Sequence, residues 1–271
     1  MRRSPADGMP PSVSVITPLY NGAPHIAEAI ASVQSQTFRD YEHIVVDNGS
    51  SDAGPDIVAD LARTDPALRL LSQTARKGPG AARNAGMEAA RGRYIAFLDA
   101  DDMYTPDKLT RQIGTMAETR AAFSWAAYTR IDSHGTRLGV QGVPTRLTPD
   151  GFLHKRGIIG CLTAVYDCRL LGHHRMPNIP LRQDFCFFHA LLAACARAGH
   201  PAIGIDAPLG LYRVHAGGIS ANKLRAAQAQ WTAYRDVIGL DRGAALAAMA
   251  SYTRHTLAAR LGERSGARSG Q

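Results

Sequence analysis

Along the first part of the chain, short apolar runs alternate with longer stretches in which apolar residues recur at helical spacing. Val13-Ser14-Val15-Ile16-Thr17 reads as a β-branched strand broken by Pro18, and Tyr20-Asn21-Gly22 as the turn after it. Pro24 suits the first turn of a helix on which Ile26, Ile30 and Val33 share one face. Tyr41 to Val46 predicts a second strand, and Asp47-Asn48-Gly49-Ser50-Ser51-Asp52 a loop of turn formers and cap residues. A helix through Ile57, Val58, Leu61 and Ala62 and a strand near Leu68 to Leu71 follow. Gly78-Pro79-Gly80 opens a helix of small residues through Gly86, which permits close packing on a sheet. Tyr94-Ile95-Ala96-Phe97-Leu98 is apolar throughout, as in a strand buried on both faces. The βαβαβαβ alternation predicts an α/β fold with a parallel, doubly wound sheet.

The pattern changes in the second half. Pro106 starts a helix through Leu109, Ile113 and Met116; Phe123 to Ile131 is strand-like, with a hairpin-type turn at Asp132-Ser133-His134-Gly135. Gln141 to Gly160 lacks a clear period and reads as loop, and Ile158 to Tyr166 returns to strand character. Phe185, Phe188, Leu192 and Cys195 fall on one helical face, and Leu211 to His215 ends a strand. Leu224, Ala227, Trp231, Tyr234 and Ile238 predict a helix with one apolar face. A last helix, from about Asp241 to Leu261, puts Leu246, Met249, Thr253 and Leu257 together. It reads either as a core-covering helix or as a basic surface helix resting on anionic lipid. The expected organisation is one domain over 1–220, divided near 104/105, then helices over 221–262 and a disordered Gly/Ser/Arg-rich tail over 263–271.

The chemistry gathers where the fourth strand ends. Asp99-Ala100-Asp101-Asp102 crowds three carboxylates into four residues, at the strand end where ligands sit in open α/β sheets. A divalent cation with a diphosphate completing its shell fits that charge pattern. A polar turn capping the helix near Pro106 is the structural alternative. The net charge of +8, carried almost wholly by arginine, suggests an anionic partner. With no nucleic-acid recognition motif, nucleic acid is excluded first, leaving a nucleotide diphosphate or a phospholipid surface. The absence of Gly-x-Gly-x-x-Gly after the first strand, and of a Walker-type Gly-Lys-Ser/Thr, excludes the usual dinucleotide and P-loop readings. Cys161, Cys168, Cys186 and Cys195 lack metal-site spacing and read as thiols of a reducing compartment. Met1-Arg2-Arg3 leads into no apolar signal core, and no apolar run reaches membrane-span length, so a cytoplasmic location is expected.

Four motifs in order then resemble a known family. Ser14-Val15-Ile16-Thr17-Pro18-Leu19-Tyr20-Asn21, Val45-Val46-Asp47-Asn48-Gly49-Ser50-Ser51-Asp52, Gly80-Ala81-Ala82-Arg83-Asn84 and Phe97-Leu98-Asp99-Ala100-Asp101-Asp102 look like the family 2 glycosyltransferases of the GT-A fold. The resemblance extends over roughly residues 12 to 235. It implies a Rossmann-like, mostly parallel sheet flanked by helices with a C-terminal helical extension, its nucleotide-binding half over about 12–104 and its acceptor half over 105–220. Thr17, Pro18 and Tyr20 would line the nucleoside pocket, and Asn48, where many relatives carry a second aspartate, would contact the base of a UDP- or dTDP-type sugar donor. Asp99 would hold ribose or metal-bound water beside Ala100, and Asp101 would bind the metal, Mn2+ or Mg2+. Arg83 is either a phosphate partner or a solvated helix residue, and His215 either a metal ligand or structural. Asp184, in Arg182-Gln183-Asp184-Phe185, is a helix N-cap on its own reading and the catalytic base by resemblance. Asp102 reads as a cap, and as the next carboxylate in line for the base role.

The function so implied is an inverting, metal-dependent transfer of a hexose or N-acetylhexosamine to a saccharide acceptor. That acceptor would be lipid-linked, in cell-surface polysaccharide synthesis, with the protein in peripheral contact with the inner face of the membrane. The rivals are a sugar nucleotidyltransferase, which would need a Gly-rich basic loop after the first strand, and a non-catalytic nucleotide-sugar-binding or scaffold protein, which would not need Asp184.

Overall fold

The computed structural model describes residues 10–154, 159–215 and 223–266. In chain order its elements are β1 (Val13–Leu19), α1 (Ile26–Gln34), β2 (Tyr41–Asp47), α2 (Gly54–Ala62), β3 (Leu68–Ser72), α3 (Pro79–Ala89) and β4 (Tyr94–Phe97). There follow β5 (Met103–Tyr104), α4 (Lys108–Thr119), β6 (Phe123–Ile131), β7 (Arg137–Gln141), α5 (Pro149–Leu153), β8 (Val165–Asp167) and α6 (Cys168–Leu171). The chain ends with α7 (Gln183–Ala198), β9 (Ala202–Arg213), α8 (Lys223–Thr232) and α9 (Arg242–Gly266). The strands form one sheet in the order β3-β2-β1-β4-β8-β6-β9-β5, with β7 paired to β6.

The block β3-β2-β1-β4 is parallel, as the alternation of strand and helix requires. Beyond β4 the sheet is mixed: β8 runs antiparallel to both β4 and β6, β6 and β9 are parallel, and β5 is antiparallel to β9. The expected parallel pairing therefore holds through β3-β2-β1-β4 and again between β6 and β9, while β8, β5 and β7 make the sheet mixed. The short hairpin at Asp132 forces antiparallel pairing of β6 and β7, its carboxylate accepting from the backbone N–H groups of His134 and Thr136.

β1 and β4 are buried on both faces, and period-two alternation sorts their side chains. Val13, Val15, Tyr94, Ala96 and Leu98 pack with α1 and α4, through Ala29, Leu109 and Ile113. Ile16, Ile95 and Phe97 pack the other way, on Met87 of α3 and Phe187 and Leu191 of α7.

Three stretches differ from the periodic reading. Gln141 to Gly160, expected as loop, contains the short helix α5, with Thr148 capping it by accepting from Gly151 N. Ile158 to Tyr166 is not a continuous strand: Ile158 lies outside the described residues, Cys161–Thr163 is a 3-10 turn, and only Val165–Asp167 pairs in the sheet. Apolar runs of this length do not distinguish a strand from any other buried segment. In the C-terminal helices Leu224 is 76% exposed, while a π-helical turn at Ala233–Val237 buries Ala233 and Tyr234. α9 turns Ala245, Ala248 and Ser251 inward and leaves Leu246 61% exposed. Small side chains face Tyr234 and Leu153 because those bulky groups already fill the space. The first turns of α9 thus cover the core. The helix continues through Gly266, past the boundary expected at 262; the side chain of Leu257 and residues 267–271 lie outside the described part.

The small-residue helix α3 owes its close seat to Gly86, where a Cβ would fall inside the van der Waals shell of the fully buried Ile16 Cγ2. Gly86→Ala would gain up to about 1 kcal/mol in helix propensity. Overpacking in a closed core costs about 1–3 kcal/mol. The variant should therefore be less stable than the parent in urea denaturation, and a rise in stability would show that α3 has room to move.

Candidate active site

β1, β2 and β4 end at one edge of the sheet, and the loops that leave them border a cleft of about 790 Å³. The loop after β1 is tied to the loop after β2. Asn21, at φ 50°, accepts from Ser51 N through its Oδ1 at 2.8 Å, and Asp52 accepts from Ala23 N at 2.8 Å. An asparagine tolerates that left-handed backbone better than a branched residue would. The result presents Pro18 and Tyr20 to the cleft, with the Arg76 guanidinium 4.0 Å over the Tyr20 ring. Asn48 lines the same end. Thr17, expected beside them, does not reach the cleft surface: it is fully buried and shares a 2.9 Å hydrogen bond with His43 Nε2. Burial holds that imidazole neutral, its pKa lowered to about 4.

The carboxylate turn after β4 is where charges had to be reconciled. Asp99 pairs with Arg83, which is buried in the cleft wall and is no solvated helix residue. Burial opposes the arginine's charge, but Asp99 outweighs it and holds the guanidinium protonated, with Asp184 adding to the effect. Asp101 Oδ2 accepts from His215 Nε2 at 2.7 Å, so the chain brings these two together as expected. Ala100 lies between the two pairs and lines the cleft. Asp102 points away: it is buried, and its Oδ1 accepts from Arg213 N at 2.8 Å. Burial and its two aspartate neighbours raise its pKa. It is set inside the fold, and the reserve base role falls away from it.

Asp184 lies in the first turn of α7 and opens onto the same cleft. It is not the N-cap. That position is taken by Arg182 at φ 71°, which makes no side-chain cap bond, while Asp184 Oδ1 accepts from Phe185 N at 2.8 Å. A carboxylate in the first turn is favoured by the helix dipole. Cys161 and Gln183 stand in the cleft wall around it.

Three residues belong to the site that the sequence reading passed over. Arg213 is 3% exposed and donates to Asp101 O, Asp132 O, Ser133 O and Glu28 Oε2, locking the carboxylate turn to the β6–β7 hairpin and α1. His25 lies 5.9 Å from the His215 ring, and its buried Nδ1 has no partner among the described residues. Arg76 is the third. A single sequence carries no signal for any of them, since each is joined to its partner by the fold and not by spacing. Among the described residues no three His, Cys, Asp or Glu side chains converge as a metal-ligand group.

Comparison with known proteins places this cleft in context. The family model "Glycosyl transferase family 2" matches residues 14–171. TuaG of Bacillus subtilis (strain 168), which carries the provisional name of a teichuronic acid biosynthesis glycosyltransferase, is 37% identical over 93% of this chain and 98% of its own. WfgD of Escherichia coli, named as a UDP-Glc:alpha-D-GlcNAc-diphosphoundecaprenol beta-1,3-glucosyltransferase, is 33% identical over 84% of this chain and 85% of its own. Among solved structures, S. aureus TarS 1-349 in complex with UDP-GlcNAc superposes with a TM-score of 0.68 at 18% identity, over 91% of this chain and 73% of that one. Mannosyltransferase PcManGT from Pyrobaculum calidifontis, in complex with GDP-Man and Mn2+, gives 0.59 at 21% identity, over 89% of this chain and 69% of that one. The structural likeness gives the fold, a mixed sheet flanked by helices of the GT-A kind.

Arg213 and Glu28 make one ion pair with unequal consequences. Arg213→Met would remove the hydrogen bonds that a buried guanidinium makes to three carbonyl oxygens and Glu28, and should cost about 3 kcal/mol or more. Glu28→Gln alters only the half-exposed partner and should cost less than about 1 kcal/mol. Urea denaturation of the two variants side by side checks this, and equal losses would contradict it.

Proposed function

We propose, from the premise that this chain is a glycosyltransferase belonging to glycosyl transferase family 2, that it moves a hexose or N-acetylhexosamine from a nucleoside-diphosphate sugar to a saccharide acceptor with inversion at the anomeric carbon. The observation that carries the reading is one shared cleft: Asp184 opens onto the space that also receives Asp99, Asp101 and Arg83, and Arg83 feels the charge of both Asp99 and Asp184. One end of the cleft suits a nucleoside, with Pro18, Tyr20 and Asn48 around it. The middle suits a diphosphate, bordered by Arg83 and the carboxylate turn. The far end, at Asp184, is left for the acceptor.

An acceptor hydroxyl is a poor nucleophile. Asp184 would take its proton as the oxygen attacks the anomeric carbon, on the face opposite the departing diphosphate. One base and in-line attack give inversion. Asp101 and His215 place an oxygen and a nitrogen donor side by side at the rim, a set that fits a divalent cation such as Mn2+ or Mg2+ when phosphate oxygens and water complete the shell. Bound there, the cation would neutralise charge on the leaving diphosphate. The Arg83–Asp99 pair would hold the wall between nucleotide and acceptor, and Arg213 would fix the turn that aims Asp101.

The relatives named for teichuronic acid and diphosphoundecaprenol-linked saccharides, together with the net charge of +8, support a lipid-linked acceptor in surface polysaccharide synthesis. No helix among the described residues is long and apolar enough to cross a membrane. Exposed Leu224, Val237 and Leu246, with Arg242 also on the surface of α9, support a peripheral contact with the anionic inner face of the membrane. Intact Asp101, Asp184 and Arg83 in one cleft weigh against a scaffold role.

Asp184→Asn keeps the side chain's shape and its oxygen toward Phe185 N, but cannot accept a proton at neutral pH. Turnover should fall by roughly a hundredfold or more, with donor affinity and melting temperature near those of the parent. Near-normal turnover would remove Asp184 from the chemistry. Asp101→Asn should abolish the manganese-dependent part of UDP binding in calorimetry. Undiminished binding at ordinary metal concentration would take Asp101 out of the metal site.

A further inference from the structure

The turn that delivers Asp184 to the cleft carries a strained residue. Arg182 holds φ 71°, a left-handed backbone that glycine adopts freely and an arginine does not. Such a conformation persists only where the surroundings impose it. Here they include the C-terminal helix. Arg182 Nη2 donates to Oη of Tyr252, a half-buried residue of α9, at 2.7 Å, and the guanidinium carbon lies 5.6 Å from the centre of that ring. Three residues on from Arg182, Phe185 stacks on Phe152 of α5 at 4.8 Å and meets the fully buried Tyr234 edge-on at 5.8 Å. Tyr234 is itself fixed by donating to Leu153 O at 2.7 Å. Both flanks are thus gripped by α5 and the C-terminal helices, while Gln183 and Asp184 between them line the cleft. The family model stops at residue 171, so neither Arg182 nor Tyr252 belongs to the matched segment.

We propose that Tyr252 and Arg182 form a latch by which α9 aims the Asp184 carboxylate, making both of them positioning residues for sugar transfer; the inference rests on Asp184 being the base. The opening hydrogen bond of α7 runs from Cys186 N to Arg182 O at 3.0 Å, so the strained residue is also the one that closes the first turn. Once its side chain is released, Arg182 relaxes toward a negative φ and the turn frays, as unheld helix ends do. Gln183 and Asp184 lie in that turn, ahead of the first packed side chain, Phe185. A hydrogen bond from a charged donor is comparable in size to the strain it offsets here. The body of α7 survives the loss, because Phe187 and Phe188 anchor it on Phe97 and Phe123. The donor side survives as well, since Arg83, Asp99 and Asp101 are held by contacts that do not involve α9. What depends on the latch is the approach of the base to the acceptor hydroxyl, and catalysis falls steeply with small misplacement.

Tyr252→Phe deletes the hydroxyl and keeps the ring, and Arg182→Met deletes the guanidinium from the other side. Turnover of the full chain is read as UDP released from UDP-glucose or UDP-N-acetylglucosamine with manganese, using whichever donor the parent turns over faster. Each single variant should lower kcat by about tenfold or more, with UDP affinity and melting temperature near those of the parent. The two substitutions together should lose no more than either alone, because they break the same contact. In the Asp184→Asn background Tyr252→Phe should leave kcat unchanged, since no base is left to aim. A tyrosine that merely supports the fold would cost kcat by the same factor in both backgrounds. That result, parent-like kcat in both single variants, or loss of the folded state in both, would overturn the latch. Near-parent turnover of Asp184→Asn itself would overturn the base reading, and absence of release by the folded parent the transfer reading; either takes this inference with it.

Discussion

Three carboxylates in four residues repel one another, and the architecture of the cleft is organised around relieving that repulsion. Each aspartate finds a different answer. Asp99 is neutralised by Arg83, 16 residues back on α3. Asp101 meets His215, 114 residues on, and Asp102 is turned inward to take the backbone N–H of Arg213, 111 residues on. The turn could not keep its shape without α3 and the end of β9 closing on it from both sides. Arg213 adds the guanidinium bonds that tie it to the β6–β7 hairpin and to α1. What looks locally like an acidic loop is thus the junction of both halves of the sheet.

That junction also explains why the cleft can have two ends of different character. In the sheet β1 stands between β2 and β4, so Asn48 and the carboxylate turn are about 10 Å apart at ordinary strand spacing. A nucleoside and its diphosphate span such a distance. The opposite wall comes from the second half, where α7 brings Asp184 up beside Cys161 and Gln183. α7 is held by aromatic packing below the cleft, Phe187 against Phe97 and Tyr166, and Phe188 against Phe123. The rigid part of the molecule therefore sets the separation between the carboxylate turn and Asp184, which a direct displacement needs to be fixed.

The C-terminal helices show how an apolar pattern can mislead. Leu224 and Leu246 head the expected faces of α8 and α9, yet both are exposed, while Ala245, Ala248 and Ser251 go inward. Sequence periodicity finds an amphipathic helix, but the space against Tyr234, Leu153 and Trp231 decides which stripe fits. Asp184 carries a similar lesson. A carboxylate near a helix start reads as a cap, whereas here Arg182 occupies that position and Asp184 sits two residues further in, where its carboxylate can face the cleft.

The sequence by itself determined the strand–helix alternation of the first half, the burial of β4 on both faces, and the family resemblance carried by four short motifs, because these depend on local periodicity and on residues adjacent in the chain. It also named a part of the cleft lining: Pro18, Tyr20, Asn48, Arg83, Asp99, Ala100, Asp101, Asp184 and His215. Tertiary structure alone decided that Thr17 is withdrawn onto His43, that Arg83 is bound to Asp99, that Asp102 faces the interior, and that Arg213, His25 and Arg76 belong to the site. Each of these outcomes turns on which of several chemically competent partners comes within hydrogen-bond reach, and that reach is fixed by segments of chain far apart in sequence.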